Sequence, residues 1–515
     1  MKKIAIQTGL KAMIKMKKML ANKKTQKQDI IADLLISNAE IFDGSGGVPW
    51  RGDCAISDGR IVSLSATENR TDTQPVQTKQ EIDANGLALA PGFIDIHTHD
   101  DMAVFDPKRM QAKLSQGVTT VVVGNCGISA SPSPLARHRA PIPPLDLLGD
   151  NSSFRFTNAS DYIEALSETA PTVNVLPLVG HTVLRARSMD DLQMPASSSQ
   201  LAAMQKDLSA ALAAGMHGFS TGLAYPPAKA ASTDEVLALA EVVADVDGLW
   251  TTHMRDERSG VVAAVAETID IARRSGVRTL ISHHKCCGEA AFGLSRTTLE
   301  MIAKARGELR LDLDVYPYTA SSTVLLQSFA MDSRKVTVAW STPHPEMAGR
   351  DLDDIAKEWG VDNISALEML QPGGGIYHQM DDADLERIMA YPPALIGSDG
   401  LPNDMRPHPR LWGTFPRVLG HYSRDRNLFS LQTAIAKMTG QSAETLGLVD
   451  RGKISIGMAA DLVLFNPATI ADRADYNLPD MPSSGISVVF VNGKPAWKNE
   501  EPASSGHGIV LQRYH

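Results

Sequence analysis

Between residues 91 and about 447, short apolar runs alternate with helix-like segments eight times, a pattern that few folds accommodate. The apolar runs fall at 92–97, 118–124, 173–180, 218–221, 249–253, 279–283, 311–316 and 394–399. Segments of helical spacing lie between most of them, such as 201–214, 233–246 and 260–275. Strands buried on both faces pair in parallel and are joined by helical crossovers, so the class is α/β. An open doubly wound sheet usually carries a glycine-rich phosphate turn after its first strand. Here the first run leaves Pro91-Gly92 and ends instead in His97-Thr98-His99-Asp100-Asp101. The pattern therefore predicts a TIM-like (β/α)8 barrel over residues 91–447.

In such a barrel the active site forms at the C-terminal ends of the strands. Those ends carry His97, His99, Cys126, His253, His283 and Asp399. His97 and His99 share one strand face, because side chains alternate with period two. An isolated His-x-His is often no more than surface polarity. Cysteine and histidines on the same rim turn it into half of a metal site. Asp399 sits in Ile396-Gly397-Ser398-Asp399-Gly400, where an apolar strand delivers one carboxylate to that rim.

The flanks read differently. Residues 32–39 read as a strand, 43–47 as a turn, and 54–62 as a hairpin about Asp58-Gly59. The Thr- and Gln-rich tract 68–79 reads as an exposed loop. Strand patterns return at 453–465 and 485–494, the second closing in an Asn492-Gly493 turn. The expected organisation is one small discontinuous β domain built from 31–90 and 448–515. The stretch 317–392, after the seventh strand, is too long for an ordinary loop and is expected to act as a lid or pocket wall.

The first 28 residues hold nine lysines and no acidic residue. They are read, to residue 30, as a poorly ordered basic leader, since lysines interrupt every apolar stretch that could serve as a secretory signal core. No run approaches the roughly 18 apolar residues of a membrane span. A net charge of −9 over 515 residues argues against nucleic acid, which leaves a small-molecule substrate and a local basic pocket to hold any anionic group. The four cysteines show no framework spacing, consistent with a reducing, cytoplasmic setting. A monomer or weak homo-oligomer is expected.

Pro91-Gly92-Phe93-Ile94-Asp95 with His97-Thr98-His99, the histidines at the fifth and sixth strand ends, Asp399 at the eighth, and Ala460-Asp461-Leu462-Val463 together resemble the amidohydrolase superfamily. Within it, Gly124-Asn125-Cys126-Gly127, Gly218-Phe219-Ser220-Thr221-Gly222-Leu223, His253-Met254-Arg255-Asp256-Glu257, Ile281-Ser282-His283-His284-Lys285 and His408-Pro409-Arg410-Leu411-Trp412-Gly413-Thr414-Phe415 resemble the D-aminoacylases, or N-acyl-D-amino-acid deacylases. The similarity runs from about residue 31 to the C-terminus.

The resemblance implies one tight zinc at Cys126, His253 and His283, and a weaker second site at His97 and His99 that shares Cys126. It selects His283 over the adjacent His284. The superfamily's bridging lysine is missing from the fourth strand, which ends Gly218-Phe219-Ser220-Thr221. Asp399 would take a proton from water acidified by zinc and return it to the leaving amine. Lys285, Tyr316, Ser322 and Arg410 resemble the family's set for the substrate α-carboxylate. Tyr377 and Met380 resemble its pocket walls, and their apolar character favours hydrophobic D-side chains. The expected activity is zinc-dependent hydrolysis of N-acyl-D-amino acids. The alternatives are a relative acting on dipeptides with a C-terminal D-residue, on N-acyl-D-glutamate or -aspartate, or on cyclic amides, and a metal-binding barrel kept as an inactive scaffold.

Overall fold

The computed structural model describes residues 30–69, 76–138 and 140–512. The basic leader lies outside the described residues, apart from Ile30. Eight parallel strands follow one another in sequence order: β1 (Phe93–Asp95), β2 (Val118–Val123), β3 (Asn174–Gly180), β4 (Gly218–Gly222), β5 (Leu249–His253), β6 (Arg278–Ile281), β7 (Leu311–Val315) and β8 (Ala394–Ile396). Every residue of β2 is buried, as expected of a parallel strand covered on both faces. The barrel closes at its C-terminal rim, where Asp399 N donates to His97 O (2.7 Å) and His99 N to Gly400 O (3.1 Å). Closure thus falls on the residues flanking both histidines and the aspartate.

The crossover helices follow from their sequences. In Val261–Ser275 the buried positions Val261, Ala264, Val265, Thr268, Ile269 and Ala272 form one stripe of helical period, and Gly276 ends the helix at φ +70°. Ser197 and Gln200 form a reciprocal capping box at the start of Ser198–Ala213.

Strands from both ends of the chain share a second, nine-stranded sheet. They meet where Ala88–Pro91 pairs antiparallel with Leu462–Phe465. Part of the tract expected as a loop belongs to this sheet: Val76–Asp83 pairs in parallel with Ile30–Ile41, so its alternating polar residues belong to a strand with much of its length exposed. Between β7 and the crossover helix that precedes β8, Asp382–Ala390, the chain forms a three-stranded sheet with its own apolar cluster around Leu325, Val338, Ile355 and Leu367. Asp382–Ala390 packs on β8 and on the helix Ser295–Arg306, so it is the crossover to β8 although it lies within the stretch 317–392.

Candidate active site

The ends of β1 and β8 are locked by a buried lysine. Lys113 Nζ lies 2.8 Å from Asp95 Oδ2 and 3.2 Å from Asp100 Oδ2, and donates to Thr98 Oγ1 and Ser398 Oγ. Asp95 Oδ1 also accepts from Ser398 N at 2.8 Å. A buried ammonium is stable only with such partners. This network sets the backbone from which His97, His99 and Asp399 project.

Cys126 follows β2 in a turn that only unusual backbone permits. It adopts φ +54° between Gly124 (+83°) and Gly127 (+75°). A Cβ at Gly124 would fall 2.2 Å from Leu178 O, so that position requires glycine. The turn brings Cys126 Sγ to 3.2 Å from both His97 Nε2 and His283 Nε2.

His253 ends β5, and its ring meets that of His283 edge-on at 4.5 Å. Glu257 lies between them, 3.4 Å from His253 Nε2 and 3.0 Å from His283 Nδ1. Asp314, on β7, accepts from His283 N (2.9 Å) and approaches His97 Nδ1 (3.3 Å). Two carboxylates thus occupy the Nδ1 sides of His97 and His283, leaving both Nε2 atoms aimed at the thiol. Lys285 Nζ donates to Glu257 Oε1 (2.8 Å) and to His283 O (2.9 Å), and lies 2.6 Å from His283 Nδ1. His284 points away to Thr298 Oγ1, and burial brings its imidazole down to about 4.

Asp399, at φ +50°, lies 3.2 Å from His99 Nε2 and 3.5 Å from His97 Nε2. Its other oxygen is 2.9 Å from Arg410 Nη1. Arg410 is fully buried, donates Nη2 to Ser322 O and stacks 4.6 Å from the centre of the Tyr316 ring. Among the described residues, Tyr316 Oη and Arg410 Nε are buried without a hydrogen-bond partner. Ser322 Oγ donates to the buried Asp404 (3.3 Å).

These groups determine one another's charge. Burial pushes the Cys126 thiol up, but His97 and His283 beside it outweigh that and hold it well below the usual thiol range. Burial likewise works against ionisation of Asp399, and Arg410, His283 and His99 overcome it. Burial and the Lys285 ammonium push His283 down, yet Cys126, Glu257 and Asp399 raise it to about 9. Thiolate and carboxylates thus favour positive charge at their centre, which a divalent cation would supply. His97, Cys126, His283 and Asp399 present ligand atoms within 4.8 Å of one another, as do His253, Glu257 and His283. Among the described residues, neither ring nitrogen of His253 makes a hydrogen bond of good geometry, and Nε2 meets Glu257 only as an ion-pair contact at 3.4 Å. Thiolate and imidazole donors with unsatisfied nitrogens fit zinc.

The amidohydrolase family model matches residues 80–496, most of the chain. This chain belongs to the amidohydrolase family. It is 45% identical over 481 residues to the D-aminoacylase of Alcaligenes xylosoxydans xylosoxydans, covering 93% of this chain and 98% of that protein. It is 46% identical over 481 residues to that organism's N-acyl-D-aspartate deacylase, covering 93% and 95%. It superposes with a TM-score of 0.88, at 44% identity, on an N-acyl-D-glutamate deacylase from Bordetella bronchiseptica, over 94% of this chain and 100% of that one. That structure holds zinc and a phosphonate inhibitor that mimics the tetrahedral intermediate.

Within this amidohydrolase, a narrow cavity opens beside His253, His283 and Asp399, walled by Tyr225, Lys285, Ser322, Phe329 and Gln379 among others. Tyr377 is not on it. Expected as a pocket wall, it is fully buried in the insertion's own core, where its hydroxyl donates to Val324 O (2.8 Å) and accepts from Leu326 N (3.0 Å). Strand alternation explains the difference, because Tyr377 shares the inward face of its strand Gly373–His378 with Gly375, whose absent Cβ leaves room for Leu325. Met380 packs on Tyr316, Tyr318 and Cys287, next to the cavity wall. Sequence reading gave no role to Glu257, Asp314, Lys113 or Asp404. A charged residue inside an apolar parallel strand, as Asp314 is in Leu311–Val315, is the signal that could have found one of them.

Proposed function

We propose that this amidohydrolase uses zinc to hydrolyse the amide bond of N-acyl-D-amino acids, releasing a carboxylate and a free D-amino acid. The observation that carries the proposal is the juxtaposition of two sites. Buried Arg410 and Tyr316, with unpartnered donors, stand beside Asp399 and the thiolate–imidazole cluster. A fixed guanidinium next to a hydrolytic centre suits a substrate whose carboxylate lies a few bonds from its scissile amide. The relatives' own substrates, N-acyl-D-amino acids, support the D-configuration and the linear amide.

Cys126, His253 and His283 would hold one tight zinc, and His97 and His99 with Asp399 a weaker second one that shares the thiolate. Zinc, when bound, supplies a Lewis acid that polarises the amide carbonyl and acidifies water. Asp399, kept ionised by Arg410, accepts the proton of the attacking water and delivers it to the departing nitrogen. Arg410, with Tyr316 Oη and Ser322, orients the α-carboxylate. Lys285 is tied to Glu257 in this structure, so its part is to fix Glu257 and His283 and to add positive charge to the wall. Phe329 and Cys287 give the cavity an apolar patch that suits a hydrophobic D-side chain, in place of the Tyr377 expected there. The four free, buried cysteines support a cytoplasmic location.

The test is a screen of the zinc-loaded chain against N-acetyl-D- and -L-amino acids, D-amino acid dipeptides and cyclic amides. Hydrolysis confined to N-acyl-D-amino acids is expected. Turnover of cyclic amides alone would point to the runner-up activity, for which the Arg410 and Tyr316 donors have no use.

A further inference from the structure

The cavity beside the metal-type cluster is too small for a whole N-acyl-D-amino acid. It holds about 20 Å³, room for roughly one water, so a bound substrate has to reach past its walls. One wall backs onto a much larger space. A mostly apolar groove of about 480 Å³, lined by Ile142, Leu192, Pro226, Val324, Leu325 and Leu326 among others, is of the size that takes a small organic group. The chain passes from cavity to groove in a single residue at two places, from Tyr225 to Pro226 and from Thr323 to Val324. Tyr225 Oη and Thr323 Oγ1 share a hydrogen bond of 2.9 Å, so one contact between neutral hydroxyls joins the two segments of the partition.

The groove lies on the side of the barrel away from the carboxylate donors. Sequential strand order around the closed barrel puts β4 across from β8. Arg410 is held at Asp399, which follows β8, whereas Tyr225 follows β4 and its ring lies 4.9 Å from that of His253. The strand Ala320–Val324 spans the mouth between them, since Ser322 O accepts from Arg410 and Thr323 meets Tyr225. A substrate with its α-carboxylate at Arg410 and its amide at the thiolate–imidazole cluster therefore directs its acyl chain towards Tyr225 and the groove behind it. The acids of the groove do little to oppose an alkyl chain. Asp190 is exposed and paired with Arg137, and burial pushes the Asp146 carboxyl up to about 7.

We propose that this groove is the subsite for the substrate's acyl chain, so that the enzyme favours N-acyl-D-amino acids carrying medium-length alkanoyl groups over their N-acetyl counterparts. This deepens the deacylase reading above and rests on it. As the chain enters, the Tyr225–Thr323 hydrogen bond opens and the alkyl group lies along Pro226, Val324 and Ile142. Removing that group from water strengthens binding by roughly fourfold for each methylene fully buried.

The experiment compares N-acetyl-, N-butanoyl- and N-octanoyl-D-leucine as substrates of the zinc-loaded full chain. The ratio kcat/KM should rise along the series, by about tenfold or more from acetyl to octanoyl and chiefly through KM. Ile142→Trp fills the groove and should erase most of that rise, with zinc content unchanged and N-acetyl-D-leucine affected far less than the octanoyl substrate. Leu326→Gln makes the wall polar, should flatten the series as well, and carries the test if the tryptophan variant fails to fold. Efficiency that is flat or falls with chain length in the unaltered protein would overturn the proposal. So would a rise that survives both substitutions, or an equal loss on all three substrates, which is what a merely structural defect produces. Failure of the unaltered protein to hydrolyse any of the three would instead overturn the deacylase reading, and this proposal with it.

Discussion

Arg410 Nη1 lies 2.9 Å from Asp399 Oδ2, so the residue read as the carboxylate clamp also holds the residue read as the proton acceptor. The two roles are coupled. A substrate carboxylate arriving at Arg410 shares the guanidinium with Asp399, and the proton acceptor is positioned in the same event. Arg410→Lys keeps the charge and loses the fork. The kcat/KM for an N-acyl-D-amino acid should fall by about tenfold or more, whereas the corresponding carboxamide, already a poor substrate, should lose little further. Equal penalties on acid and carboxamide would make Arg410 a structural residue.

Asp399→Asn preserves shape and the backbone contact to His97 O while removing the proton acceptor. Turnover should drop by about 100-fold or more while the protein still binds one zinc through Cys126, His253 and His283. Single-turnover kinetics on zinc-loaded protein measures this, and a normal rate would place the base elsewhere.

Glu257 is the residue that sequence reading passed over most conspicuously. It touches His253, His283 and Lys285 at once, and burial, which opposes its ionisation, is outweighed by those three, leaving it charged well below the ordinary range. Glu257→Gln should weaken zinc binding by roughly 10- to 100-fold, read by competition with a chromogenic chelator. Unchanged affinity would mean that His253 and His283 hold their orientation without it.

Tyr377→Phe tests the reassignment of that side chain from pocket wall to insertion core. Its hydroxyl bridges Val324 O and Leu326 N, so its loss removes two hydrogen bonds, the first of them buried. The insertion should lose about 1–3 kcal/mol, seen as a lower Tm, with KM for N-acyl-D-amino acids little altered. A large rise in KM at unchanged Tm would return Tyr377 to the pocket.

The barrel was legible because its strands are short apolar runs with chemistry at one end, and His253 stands at the very end of β5, where periodicity alone would put it. His97, Cys126, His283 and Asp399 lie two or three residues past their strands, three of them in left-handed backbone that no apolar pattern records. What escaped the sequence is the support behind them. Asp314 and His97 are 217 positions apart and Lys113 and Ser398 are 285 apart, contacts set only by closure of the barrel. Tyr377 failed as a pocket residue for a related reason. Alternation along a strand says that two faces differ, and only the packed sheet says which of them meets the insertion's own core.

The central claim is that Cys126, with His253 and His283, holds the zinc on which hydrolysis depends. Elemental analysis of the purified chain alongside its Cys126→Ala variant, with activity assayed on the same samples, tests it most directly. The unaltered protein should carry near one equivalent of zinc and hydrolyse an N-acyl-D-amino acid, and the variant should lose both. A zinc-free Cys126→Ala protein that retained full activity would contradict the account.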